Sequence, residues 1–103
     1  QTFDERGVRY DRENVHVDEG VSTGVATICV ETKEGDNSII CVPGANHALT
    51  PEYVRESLER VLSGAKNNAV VMTQLEIPYD AALEAMQVGR ELGATTILNP
   101  TPV

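Results

Sequence analysis

The chain has 103 residues, 41% of them hydrophobic and only 4% aromatic, which predicts one small domain with an aliphatic core. Its net charge of -8 and eight scattered basic residues exclude a nucleic-acid footprint, which needs Lys and Arg clustered on one surface. No apolar run approaches the roughly 18 residues a membrane-spanning helix needs, and neither zinc-ligand spacing nor a signal peptide is present, so a cytoplasmic protein without a nucleic-acid or membrane partner is expected.

In chain order, "QTFDERG" (1–7) reads as the end of a helix, with Phe3 as an anchor and Gly7 as its stop. Residues 13–46 are strand-like: "ENVHVD" alternates at Val15 and Val17, and "TGVATICVET" (23–32) and "NSIICVPG" (37–44) are rich in Val, Ile, Thr and Cys. The polar turn "KEGDN" between the latter two predicts an antiparallel hairpin. Cys29 and Cys41 each lie in an apolar run and read as buried free thiols.

From residue 50 to 103 the periodicity changes. Thr50-Pro51-Glu52 is a helix start, with Thr as N-cap and Pro at the first helical position. Val54, Leu58, Val61 and Leu62 make one apolar face, and Gly64 closes the helix. "AVVMTQL" (69–75) reads as a strand buried on both faces, with Met72 in the core. Pro78 starts a second helix with a polar stripe of Asp80, Glu84, Gln87 and Glu91, and Gly93 stops it before the strand "TTIL". Strand, helix, strand over about 30 residues is a βαβ unit, so these two strands are predicted to be parallel. The fold class is therefore α/β.

Ligands of open parallel sheets bind outside the carboxyl ends of the strands. Glu76 and Asn99 both sit at such ends. A carboxylate there must stay in water, cap the helix that follows, or bind something. Elsewhere the candidates are weak. "GVSTGVA" and "PGANHAL" bear glycines but no GK[ST] follows either, so neither is a phosphate loop. His16 and His47 lie in separate segments with no spaced acid or thiol to make either a base or a metal ligand, and Ser22 and Ser63 have no nucleophile-elbow context.

"STGVATICVETKEGDNSIICVPGAN", then "HALTPEYV", "VVMTQLEIPYDAALEA" and "ILNPTPV", resemble the ribokinase branch of the PfkB carbohydrate kinases in order and spacing over nearly the whole chain. The most specific pieces are "GDNSIICVPGAN", "QLEIP" and "LNPTP". The resemblance implies a segment of a Rossmann-like fold, with 13–46 as lid strands and 50–103 as α/β core. It places Glu76 at the sugar hydroxyls, Ala26 and Ile39 against the apolar side of the sugar, and Asn99 near the site. It implies D-ribose and ATP as substrates, Mg2+ and K+ as cofactors, and a homodimer through the lid strands.

Other family features are missing from these 103 residues: the first sugar-binding strand with its Asp, the GGKGAN segment, the NxxE motif and the GAGD motif with the base and the anion hole. No catalytic residue is therefore assigned, and the segment alone is expected to be inactive. Both ends look cut, as in an internal fragment of a longer protein. The competing readings are a non-catalytic module that associates through its lid sheet, and another PfkB-type sugar or nucleoside kinase.

Side-chain alternation adds one constraint. If Ala26 and Ile39 share a face, directly paired positions of the hairpin must sum to an odd number. Cys29 and Cys41 then lie on opposite faces and cannot be bridged. A turn centred on Gly35 would instead set them opposite one another.

Overall fold

In the computed structural model, which describes residues 2–64 and 68–102, the chain opens with a helical turn, α1 (Thr2–Glu5), and a 3-10 turn at Arg12–Asn14. An antiparallel hairpin of β1 (Thr23–Val30) and β2 (Asn37–Gly44) follows. Strand structure in the 13–46 stretch is confined to these two elements. Val15 and Val17 are exposed, Val17 by 76%, and lie in no strand. Local side-chain bonds bend the chain on either side of them: Asp11 accepts from the Glu13 N–H at 3.1 Å and Asp18 from the Gly20 N–H at 2.8 Å. Such bonds offer the backbone an alternative to a ladder.

The hairpin has the odd-sum register. Ala26 pairs with Cys41, Ile28 with Ile39 and Cys29 with Ser38. Ala26, Ile28, Ile39 and Cys41 therefore share one face, and Cys29 lies on the other. Both thiols are free, as expected, but exposed rather than buried. No layer covers the sheet among the described residues, so Val25, Ile28, Val30, Ile39, Ile40 and Val42 are each more than half exposed. The radius of gyration, 16.3 Å, exceeds the roughly 13 Å of a compact chain of this length, because the hairpin stands away from the core.

The second half forms as its caps dictate. Thr50 accepts from the Tyr53 N–H at 3.2 Å and opens α2 (Pro51–Leu62), which ends at Ser63, one residue before Gly64. β3 (Val70–Gln74) leads through Pro78, the N-cap, into α3 (Tyr79–Glu91), and β4 (Thr95–Asn99) returns parallel to β3, with Val70 opposite Thr95 and Gln74 opposite Asn99. Val54, Val71, Ala81 and Ala85 make the core, with Leu49, Leu58, Leu62 and Ile77 packed around it.

β3 is buried on one face, not two. Val71 is 7% exposed and Thr73 8%, whereas Val70 is 57% exposed and Met72, expected in the core, is 70% exposed. The buried side is the one α3 covers. Gly89 brings that helix close: an added Cβ would lie 2.9 Å from Thr96 Cγ2 and 3.1 Å from Val71 Cγ2.

Part of the α3 polar stripe has a structural task. Arg55 of α2 donates through Nε to Glu84 at 2.6 Å and through Nη1 to Glu91 at 3.1 Å, tying the two helices together. The hydrogen bond to Glu91, then that to Glu84, raises the affinity of the guanidinium for its proton. Glu91 is held below the usual carboxylate range by the hydrogen bond from Gln87 and then by that from Arg55.

Candidate functional site

The base of the hairpin, the 3-10 turn Ala45–Ala48 and the end of β3 enclose a cleft of about 410 Å³. Its walls include Gly24, Ala26, Cys41 and Pro43 from the strands, Asn46 and His47 from the turn, and Leu75, Glu76 and Pro102 from the core.

Each wall is fixed by backbone bonds. Beyond β3, the Leu75 N–H donates to the Thr101 carbonyl at 3.0 Å and the Glu76 N–H donates to the Gln74 side-chain oxygen. Residues 75 and 76 are thus held to the segment after β4, and the Glu76 side chain is left at the cleft. On the hairpin side, Gly44 adopts φ +54° and ψ -133°, a conformation open to glycine and hardly to other residues. The chain turns there sharply enough for the Ala45 N–H to reach the Ser22 carbonyl at 2.9 Å, which seats the 45–48 turn against β1 and β2.

Of the three fates open to Glu76, capping is set aside. The N-cap of α3 is Pro78 and no side chain caps it; the Asp80 carboxylate instead accepts from the Ala81 N–H at 2.9 Å. Among the described residues the Glu76 carboxylate has no hydrogen bond and no ion pair. It is an exposed acceptor facing a cleft whose other walls are largely apolar.

The structure brings Glu76 and Ala26 into one cleft but not Ile39 or Asn99. Ile39 shares the face of Ala26 and lies nearer the hairpin tip. Asn99 stands opposite Gln74, and its side-chain oxygen accepts from the Thr101 hydroxyl at 2.8 Å, so it shapes the turn that leads to Pro102. His16 belongs to a neighbouring cleft of about 420 Å³, where its ring lies 4.9 Å from that of Tyr53. Cys41, Asn46 and Pro102 are lining residues that sequence reasoning missed, and His47, which it weighed as a base or metal ligand and set aside, lines the cleft as well. The odd-sum register was signal enough for Cys41, and the "PGANHAL" glycine for the turn. Among the described residues no three His, Cys, Asp or Glu side chains converge as a metal site, and no helix is long and apolar enough to cross a membrane.

An antiparallel hairpin beside the carboxyl ends of a parallel βαβ layer, with a carboxylate in the cleft between them, is a segment of an α/β fold. It is ribokinase-like in sequence and in structure. The chain is 42% identical over 80 residues to the bifunctional ribokinase/ribose-5-phosphate isomerase A of Fructilactobacillus sanfranciscensis, covering 78% of this chain and 14% of that protein. It is 38% identical over 96 residues to the ribokinase of Schizosaccharomyces pombe, covering 93% of this chain and 28% of the relative. The ribokinase structure from Giardia lamblia superposes with a TM-score of 0.77 at 29% identity, over 98% of this chain and 32% of the other. The chain thus spans less than a third of the length of each of these proteins. No family model matches it.

Proposed function

We propose that this chain supplies the lid and part of the sugar cleft of an ATP-dependent kinase that converts D-ribose to ribose 5-phosphate. The observation that carries this is the Glu76 carboxylate at the end of β3, without a partner among the described residues and lining one cleft with Ala26, in a chain with ribokinase relatives. A carboxylate accepts from two vicinal hydroxyls, while the C–H face of a pentose suits Ala26 and, nearer the lid tip, Ile39. Asn99 acts indirectly, through the 99–101 turn.

Phosphoryl transfer rests on positioning and on charge stabilisation around the phosphates. This chain has no phosphate loop, and among the described residues it offers no metal cluster. In this reading ATP, Mg2+ and K+ are held by residues of the enzyme outside this segment. No residue here is assigned to catalysis. The intact polypeptide that carries the segment is expected to form ADP in a ribose-dependent manner, and the 103 residues alone are not. Equal turnover with and without ribose across a panel of pentoses would remove the proposal.

The exposed apolar side chains on both hairpin faces favour an added role in association. Val25, Ile40 and Val42 on one face, and Ile28 and Ile39 on the other, suit burial against a second lid better than contact with water. Sedimentation is expected to show a dimer at tens of micromolar, roughly where weak interfaces fill. A clean monomer that persists on further concentration counts against it.

A further inference from the structure

We propose that His47 is a specificity-determining contact for the sugar, donating from its imidazole to one hydroxyl that Glu76 does not bind. This rests on the reading of the cleft as the sugar site. The cleft needs such a group. A carboxylate only accepts, whereas each sugar hydroxyl both donates and accepts. On this side of the cleft Glu76 offers acceptors only, so a hydroxyl lone pair turned toward the 45–48 turn must find its donor there.

Among the described residues, the side chains that line the cleft and can donate an N–H are Asn46 and His47. Asn46 also borders the neighbouring cleft beside His16 and Tyr53, whereas His47 borders the Glu76 cleft alone of the two. Among the described residues the His47 imidazole has no hydrogen bond and no ion pair. Its backbone is nevertheless held in place, since the turn is bonded through Ala45 to Ser22 and packs on both lid strands. Glu76 is the one acid lining this cleft. The pairing of an acceptor from the core with a donor from the 45–48 turn, each carried on a backbone held by hydrogen bonds, fits a neutral polyhydroxylated ligand. It also couples the two walls: a sugar that engages both bridges lid and core.

The test uses the intact protein that carries the segment, with ribose and its single-deoxy analogues as probes, affinity by calorimetry and folding by thermal melting. His47→Ala is expected to weaken ribose binding about 3- to 10-fold, the range of one neutral hydrogen bond, with the melting temperature unchanged. His47→Gln, which keeps an N–H donor, restores affinity to within about 2-fold on the same basis. One deoxy analogue loses nothing further on His47→Ala, because the hydroxyl that His47 meets is already gone; a structural role would weaken all analogues equally. If ribose affinity survives His47→Ala while Glu76→Gln lowers it, this inference fails and the sugar cleft stands. If neither substitution changes ribose affinity, the reading of the cleft fails with it.

Discussion

Glu76→Gln in the intact protein is expected to weaken ribose binding by about 1–3 kcal/mol, since hydrogen bonds to a charged group contribute roughly 1.5–3 kcal/mol each. That is about 5- to 150-fold in dissociation constant. The substitution keeps shape and volume and removes only charge and one acceptor. The structure explains why folding is expected to be indifferent. The carboxylate caps no helix and pairs with no cation among the described residues, and the bonds that hold the turn run through the backbone of Leu75 and Glu76 to Thr101 and Gln74. Melting temperature and ATP affinity are expected to stay at wild-type values. A variant that binds ribose normally but melts earlier would make Glu76 a structural group and leave the cleft without its acceptor.

Gly44→Ala should be the most disruptive small substitution in the hairpin. A non-glycine residue at φ +54°, ψ -133° is strained by about 1–3 kcal/mol, and strain is only part of the cost. The added Cβ would collide with the Ser22 carbonyl oxygen and lie 2.7 Å from the Gly24 nitrogen. Both are backbone atoms of β1 or its approach, so no side chain can rotate away. Relief requires breaking the Thr23–Gly44 pairing or the Ala45–Ser22 bond, and either swings Asn46 and His47 off the cleft. Gly35, in the hairpin connection, is the control. It too has a positive φ, +80°, but an added Cβ meets nothing within 4 Å. Gly35→Ala should therefore show strain alone, with ribose affinity intact, while Gly44→Ala loses both stability and binding. Equal effects of the two on ribose affinity would mean that the 45–48 turn does not build the site.

The second half of the chain was legible because its signals are local. Thr50-Pro51, Pro78 and Gly93 bound the helices whatever surrounds them, through capping and backbone geometry that a few consecutive residues define. The parallel pairing of β3 and β4 followed from connection length alone. The first half was less legible. Val15 and Val17 have the alternation of a strand, but alternation provides no partner edge, and nearby Asp side chains took the backbone elsewhere.

Burial was misread for a related reason. The run "VVMTQ" is apolar on both faces, which is a statement about what the strand could bury. Whether Val70 and Met72 are covered depends on which layers lie over β3, and among the described residues α3 covers only the Val71 side. The thiols show the same division. Parity along the strands put Cys29 and Cys41 on opposite faces only if Ala26 and Ile39 share one, and the observed register decided for that case over a turn centred on Gly35; that both thiols are exposed follows from the lack of a second layer over the hairpin among the described residues.

The cleft divides in the same way. Sequence position alone put Glu76 at the carboxyl end of a parallel strand, where ligands of such sheets bind, because strand direction and the Pro78 break are encoded within nine residues. Only the tertiary structure decided what faces it. Ala26 and His47 are 50 and 29 positions away in the chain, and no spacing rule links them to Glu76. They meet it because Gly44 turns the chain back on β1 and because Leu75 is bonded to Thr101, contacts that depend on the packing of distant segments and leave no periodicity in the sequence to read.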